Sequence, residues 1–318
     1  MRLGEAFEAY KGWVRRSKSP LTAQAYTCDI RKFVEFVGAN RDVKDLTVLD
    51  VSRFQDMLEK KGYSARSIYR VGYAIISFLE VCGRTDIARL VPTPVYSSKM
   101  PDWLPEEKVK EVIYAAGRPL DRAVLSVAYD LALRRGEVPL LNWEWYDMKN
   151  GTMKVHRLKR GKSGPSEHVL PLRDWARKEL DEYLSWRMDF ITERPHEALF
   201  VTRYGGKLNR MTRQTVLNIY RRAACKVGVN VSFHSFSRHS RLTNMAIDMI
   251  REKGVADLVV LAKFAGHRNP ANTLLYVHLA SSYLLQKREA TAKHETRGEV
   301  WTMEKLEREA AKYYLGLK

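Results

Sequence analysis

The chain has 318 residues, a length that favours two domains over one. Hydrophobic residues make up 45% of it and charged residues 29%, a balance that excludes an intrinsically disordered protein. The net charge of +18 favours a polyanionic partner, and nucleic acid fits better than an anionic membrane surface. No apolar run reaches the roughly 18 to 20 residues that span a bilayer, and the N-terminus lacks the apolar stretch of a signal peptide. We therefore expect a cytoplasmic protein with no membrane partner.

The three cysteines are scattered along the chain. Cys28, Cys82 and Cys225 form neither a disulfide framework nor a metal-ligand spacing. We expect all three to be small, buried apolar residues.

Residues 1 to about 90 are predicted to form an all-helical domain. The segment SPLTAQAYTCDIRKFVEFVG has apolar residues three and four positions apart, with Ser19 and Pro20 as a helix start and Gly38 as a stop. The segment YSARSIYRVGYAIISFLEVCG repeats this pattern and ends at Gly83.

Residues 91–105 contain four prolines, a density that indicates an extended linker. A second domain is expected over 106–280 and a C-terminal tail over 281–318. Helical patterns resume after the linker, and GTMKVHRLKRGKSGPSEHVLPL then alternates around a turn, as a β-hairpin does. The predicted fold is therefore mainly α with a small β-hairpin or sheet.

Basic residues are concentrated in one part of the second domain. From Ala198 to Ile247 there are nine Lys or Arg residues and no Asp or Glu. Such a run fits phosphate contacts better than the alternative, a generally basic surface of the kind that thermophilic proteins carry. The predicted phosphate-contacting residues are Arg203, Lys207, Arg210, Arg213, Arg221, Arg222 and Lys226.

Two segments of the second domain carry groups that suit a phosphodiester. In LALRRGEVPLLNW, Arg134 and Glu137 lie three apart and are expected on one helical face, where the carboxylate can orient a neighbouring cation. The hairpin tip RLKRGKSG offers Lys159 and Lys162, either of which could protonate a departing oxygen or simply contact phosphate.

Two further segments follow towards the C-terminus. FHSFSRHSRLTNMA is expected to place His234 and Arg238 in one short helical turn. In VVLAKFAGHRNPANTLLYVH, Gly266 is predicted to close a helix and His267 to lie in the turn. Tyr276 then falls within two turns of the next helix start.

With these segments in this order, the chain resembles the tyrosine recombinase family, the phage-type integrases, from about residue 5 to residue 280. The family's Leu-Gly-His box, which ends in Thr-x-x-Tyr nine residues after the His, is matched with its spacing kept by Ala265, Gly266, His267, Thr273 and Tyr276. The family's Thr-Gly-Leu-Arg box, with its later Glu, is similar to Leu131, Ala132, Leu133, Arg134 and Glu137. The N-terminal half resembles the family's DNA-clamping domain more loosely, at Thr22, Tyr26, Asp29 and Phe33.

The chain departs from the family pattern at two places, and the position of the hairpin lysine is ambiguous. Ala132 stands where the family favours glycine, which is expected to alter only local packing. The box that reads His-x-x-Arg-His in many relatives has one residue too many here, so either His234 or Ser235 holds the histidine position. The lysine of the hairpin is Lys159 when counted from the first strand and Lys162 when counted back from Pro171.

The resemblance implies a two-domain architecture, a helical core-binding domain followed by an α+β catalytic domain. It also implies that Tyr276 attacks a scissile phosphate of double-stranded DNA, forms a 3′-phosphotyrosyl bond and expels a 5′-hydroxyl, without metal, ATP or another cofactor. Arg134 and Arg238 would brace the phosphate and His234 and His267 would assist. One of the two lysines would act as the acid, and Glu137 would support the cations.

Self-association on DNA, as a tetramer in the synaptic complex, is also implied by the resemblance. The tail over 281–318 resembles a segment that docks onto a neighbouring protomer, although a terminal helix packed on its own domain fits it equally well. Two other functions compete: a topoisomerase-like enzyme that nicks and reseals one duplex, and an inactive relative that only binds DNA or shapes it.

Overall fold

The computed structural model describes residues 1–95, 100–158, 166–190, 196–267, 269 and 271–295. It divides into two compact units, Met1–Lys99 and Met100–Lys318. The division falls inside the proline-rich stretch over 91–105. Within the described ranges, no helix is long and apolar enough to cross a membrane.

In its described residues, 1–95, the first unit is built from helices. They are α1 (Leu3–Ser17), α2 (Pro20–Val37), α3 (Val48–Lys60), α4 (Ala65–Val81) and the short α5 (Thr85–Ala88). The predicted bounds of α2 are confirmed: Ser19 accepts a hydrogen bond from the Thr22 backbone, and Gly38 ends the helix at φ +105°. The core contains Phe33, Phe54 and Phe78, each 1% exposed or less.

The expectation of three buried cysteines is wrong. Cys28 and Cys225 are exposed, and Cys82 is half-buried at the end of α4. Cys28 and Cys225 lie on the solvent-facing sides of helices whose opposite sides supply the core, a distinction that a residue's apolar character alone does not make.

The second unit combines seven helices with two small antiparallel sheets in its described part. The helices are α6 (Glu106–Tyr114), α7 (Pro119–Asp130), α8 (Asp174–Phe190), α9 (Arg213–Lys226), α10 (Ser240–Lys253), α11 (Leu258–Ala265) and α12 (Ala271–Glu295). The strands are β1 (Tyr146–Asp147), β2 (Thr152–Arg157) and β3 (Ser166–Pro171) in one sheet, and β4 (Val201–Tyr204) and β5 (Lys207–Arg210) in the other. The mainly α fold with small sheets is confirmed.

Helix α7 lies at the centre of this unit. From Leu120 to Asp130 only Arg122 is not fully buried, as expected of a helix enclosed on all sides. Because α7 is held on every side, the turn that leaves its C-terminal end is fixed in place.

The predicted hairpin is confirmed as β2 and β3, which pair from Thr152 opposite Pro171 to Arg157 opposite Ser166. Its tip, with Lys159 and Lys162, lies outside the described residues. Helix α12 continues through position 280 to Glu295, so the expected start of the tail at 281 lies inside a helix. Residues 296–318 of that tail lie outside the described residues as well.

Candidate active site

Arg134 and Glu137 meet in a turn and not on a helical face, which corrects the expectation from their spacing. Helix α7 ends at Asp130, and Ala132 follows it with φ +49°, a backbone conformation that ends a right-handed helix. The Glu137 carboxylate accepts hydrogen bonds from the Arg134 backbone N–H and from Arg134 Nη1, both at 2.8 Å. The side chain of Glu137 is fully buried, so this contact fixes the turn.

The positive φ of Ala132 also explains why the related family favours glycine here. A left-handed conformation costs an L-residue roughly 1–2 kcal/mol that glycine does not incur. Besides any change in local packing, the alanine therefore adds a backbone cost at this turn. The conformation directs the Ala132 carbonyl towards two guanidinium groups, Arg157 Nη1 at 3.2 Å and Arg238 Nη1 at 3.1 Å.

The irregular box forms a π-helical turn over Ser235–His239, directly before α10. The Ser240 backbone N–H donates to the Ser235 carbonyl five residues earlier, the bond that defines such a turn. A π-turn absorbs one extra residue within a helix, which is the physical reason why the additional residue is tolerated. The expected short helical turn is confirmed, with π-type hydrogen bonds, and Arg238 within it is 1% exposed.

The segment after α11 folds as its sequence predicts. Gly266 ends α11 at φ +66°, and His267 follows it, with its Nδ1 2.9 Å from Thr273 Oγ1. Tyr276 lies in the second turn of α12, is 3% exposed, and its ring stacks on that of His267 with centroids 6.1 Å apart. The Gly-His-Thr-Tyr spacing thus orients the histidine through the threonine and brings it beside the tyrosine.

His239 is a site residue that sequence reasoning missed. Its Nδ1 lies 3.1 Å from the Tyr276 hydroxyl. His234 is exposed, and its ring makes an edge-to-face contact with His239 at 4.5 Å between centroids. Ser235 is buried and shares a 2.9 Å hydrogen bond with Ser232 Oγ. The available signal was the family box itself, which ends in Arg-His, whereas our interpretation looked for the histidine before the arginine.

Arg157 is the second residue that was missed. It is fully buried at the end of β2, where Met153, Val155 and Arg157 alternate as the inward-facing positions of the strand. Its guanidinium reaches Glu137 Oε2 at 3.2 Å. An arginine at a position that alternation assigns to the core was a detectable signal.

The site carries an excess of positive charge. Three guanidinium groups, on Arg134, Arg157 and Arg238, surround the carboxylate of Glu137. Burial, together with the charges of Arg134 and Arg157, lowers the pKa of Arg238 to about 9. Burial acts to raise the pKa of Glu137, but the surrounding cations outweigh it and the pKa lies below its usual value. Because the cations of this cluster repel one another, the cluster is suited to bind an anion.

The two histidines beside Tyr276 are neutral at pH 7. Burial, followed by the charge of Arg238, lowers the pKa of both His239 and His267 to about 4. Burial raises the pKa of Tyr276, while Arg238 and Arg134 oppose that rise. The phenol is therefore protonated, next to an imidazole able to accept a hydrogen bond from it. In the described residues no group of three or more His, Cys, Asp or Glu side chains could hold a metal ion.

The predicted phosphate contacts in the basic run over 198–247 differ in exposure. Arg210 is half-buried and is held by the Pro139 carbonyl at 2.8 Å and by Glu197 at 2.6 Å. The other six are exposed, although Arg222 lies 3.5 Å from Asp121 and Lys226 donates to the Ala115 carbonyl; they are Arg203, Lys207, Arg213, Arg221, Arg222 and Lys226.

Comparison with known proteins identifies the family to which the chain belongs. Residues 102–282 match the model of the phage integrase family, and residues 8–82 match that of the phage integrase N-terminal SAM-like domain. Tyrosine recombinase XerA of Pyrococcus horikoshii is 28% identical over 292 residues, which cover 92% of this chain and 94% of the relative. A lambda integrase tetramer bound to a Holliday junction shares the fold with a TM-score of 0.67 at 15% identity, over 87% of this chain and 77% of that one. XerH bound to palindromic difH shares it with a TM-score of 0.65 at 16% identity, over 90% of this chain and 84% of that one. From the match over residues 102–282, the chain belongs to the phage integrase family.

Proposed function

We propose that this protein is a site-specific DNA recombinase that cuts and rejoins double-stranded DNA through a covalent bond to Tyr276. The observation that carries the proposal is the arrangement around the Tyr276 hydroxyl. It lies 3.1 Å from His239 Nδ1, next to the buried cationic cluster of Arg134, Arg157 and Arg238.

In the cleavage step, the Tyr276 oxygen attacks the scissile phosphorus and its proton passes towards His239. The bond from phosphorus to the 5′-oxygen breaks, and that oxygen leaves as a hydroxyl after protonation by Lys159 or Lys162 of the hairpin tip. The product is a 3′-phosphotyrosyl linkage that keeps the energy of the phosphodiester, so rejoining needs only attack by another 5′-hydroxyl. ATP and metal ions have no role in either step.

Negative charge grows on the non-bridging oxygens in the transition state. Arg134 and Arg238 brace those oxygens, because a guanidinium donates two parallel hydrogen bonds and stays charged. His267, oriented by Thr273, donates its remaining ring N–H to the same phosphate. Arg134 Nη1 donates to the Glu137 carboxylate at 2.8 Å, which fixes the orientation of the Arg134 guanidinium.

We assign the exposed basic residues of this run to DNA phosphates; they are Arg203, Lys207, Arg213, Arg221, Arg222 and Lys226. Arg210 is half-buried and bound to Pro139 and Glu197, so we assign it to the fold. The domain limits 1–90 and 106–280 remain our proposal for the DNA-clamping and catalytic domains. The lambda integrase tetramer on a Holliday junction supports strand exchange by a tetramer on DNA. The docking of residues 281–318 between protomers and the cytoplasmic location remain part of our proposal.

The test is covalent capture. Duplexes bound by the protein are selected from a random-sequence pool, rebuilt with a nick that lets the 5′-end diffuse away, and resolved on denaturing gels. We expect an adduct from the wild type and none from Tyr276→Phe, with equal DNA affinity. Tyr183→Phe is the matched control, since it also removes a buried hydroxyl, one that donates to the Leu199 carbonyl at 3.2 Å.

Each competing function gives a different result. Tight binding without an adduct from the wild type would identify an architectural DNA-binding protein. Relaxation of a supercoiled plasmid without exchange between two sites would identify a topoisomerase-like enzyme. An adduct that persists in Tyr276→Phe would move the nucleophile elsewhere, with Tyr283 the next residue to replace.

A further inference from the structure

We propose that Arg157 is a positioning residue for DNA cleavage, which holds three separate segments of the active site in one geometry. The inference rests on the function proposed for Tyr276. Arg157 Nη2 donates to the Leu131 carbonyl at 2.9 Å and to the Phe264 carbonyl at 2.8 Å. Arg157 Nη1 donates to the Ala132 carbonyl and to Glu137 Oε2, both at 3.2 Å.

Each acceptor belongs to a segment that carries a reacting group. Leu131, Ala132 and Glu137 lie in the turn that presents Arg134. Phe264 lies in the last turn of α11, three residues before His267. Arg157 itself ends β2, two residues before Lys159. One guanidinium therefore connects the groups that would brace the phosphate with the strand that leads to the proposed acid.

The end of α11 explains why a cation is placed here. The last carbonyls of a helix lack intrahelical partners and carry partial negative charge. Arg157 binds the Phe264 carbonyl and Arg238 binds the next one, that of Ala265. Arg238 also shares the Ala132 carbonyl with Arg157, so a displacement of Arg157 is transmitted to the arginine proposed to hold the phosphate.

Gly266 packs closely against the side chain of Arg157. A Cβ atom at this position would lie 2.8 Å from Arg157 Cγ, closer than real Cβ contacts permit. The glycine is thus required both by its φ of +66° and by the stem of Arg157. The turn that carries His267 packs directly on Arg157, with no space for the two to move independently.

Stability alone gives no reason for an arginine at this core position. A buried guanidinium loses its hydration, and replacing a buried ion pair with apolar side chains is often neutral or stabilising. A straight aliphatic chain would fill the inward-facing position of β2 but would leave the four acceptors unconnected. What arginine adds is a rigid fork that fixes the distances between those acceptors.

The variants Arg157→Met and Arg157→Lys test this role in the full-length protein on a nicked suicide duplex. Single-turnover adduct formation gives a rate constant and an amplitude, and the amplitude counts the folded, competent molecules. We expect the rate constant to fall about 100-fold in Arg157→Met and about 10-fold in Arg157→Lys, the range seen when residues that support catalytic groups are removed. DNA affinity should change little.

Arg173→Met is the matched control, because Arg173 is an ion-paired arginine of the same unit that contacts Asp130 and Glu106 outside the site. It should keep the wild-type rate constant even where its melting temperature falls. A reduced amplitude with a wild-type rate constant in Arg157→Met would show a purely structural role and overturn the inference. If that variant does not fold, the rate constant of Arg157→Lys decides in the same way. A wild type without adduct would instead overturn the proposed function, and this inference with it.

Discussion

Replacing His239 with glutamine tests whether the imidazole beside Tyr276 accepts the phenolic proton. The 3.1 Å contact places the acceptor in direct reach, and a well-placed general base contributes on the order of 10²–10⁴-fold to a rate. His239→Gln should therefore slow single-turnover adduct formation by about 100-fold or more at pH 7, with DNA affinity unchanged. The matched control is His156→Gln, which removes a β2 histidine that contacts Glu167.

The same variant has a signature in the pH dependence of stability. The pKa of His239 and of His267 is about 4 in the folded protein and about 6.5 in the unfolded chain, so the unfolded chain binds more protons between these values. The free energy of unfolding should thus fall as the pH drops from 6.5 to 4, by about 1.4 kcal/mol per pH unit for each histidine. It should be unaffected by these two groups above pH 6.5.

Urea denaturation at pH 7, 6 and 5 measures this slope. Carboxylates titrate in both proteins, so the difference between wild type and His239→Gln isolates the contribution of the histidine. Below pH 6.5, the free energy of unfolding of the variant should change with pH by about 1.4 kcal/mol per pH unit less than that of the wild type. Identical slopes would show that His239 is not held neutral by burial. An unchanged cleavage rate at pH 7 would refute its role as proton acceptor.

Three further predictions concern DNA binding and the turns of the site. The logarithm of DNA affinity should fall with the logarithm of salt concentration by about 0.9 per phosphate contact, which gives a slope of about −5 if the six exposed basic residues all contact phosphate. A slope near zero in a filter-binding titration would show that these residues do not contact the DNA. Gly266→Ala should lower the free energy of unfolding by about 1–3 kcal/mol more than Gly254→Ala does. Both glycines have positive φ, but only at Gly266 would the new Cβ meet Arg157. Equal losses of stability in urea denaturation would argue against the close approach of Gly266 to Arg157. Arg238→Ala should slow cleavage more than His234→Ala, for which about tenfold is expected, since no neighbour replaces a bidentate contact to the phosphate. A wild-type rate for His234→Ala on the nicked duplex would show that His234 only packs against His239.

The sequence by itself determined the elements that depend on local signals. Periodicity and caps located α2, and alternation around a turn located the hairpin of β2 and β3. The spacing from Gly266 to Tyr276 located this tyrosine beside His267, because a helix stop, a turn and a helix start are all encoded within a few residues. Such features need no knowledge of the rest of the chain.

Tertiary structure decided everything that depends on contacts between distant segments. Arg157 meets Phe264, more than a hundred residues away, only because the hairpin packs against the end of α11. His239 reaches Tyr276 because the π-turn sets its direction, and Arg210 is ion-paired because the fold brings Glu197 beside it. Pairwise spacing along the chain cannot reveal these contacts, since a buried charge is positioned by the partners that the whole fold brings to it.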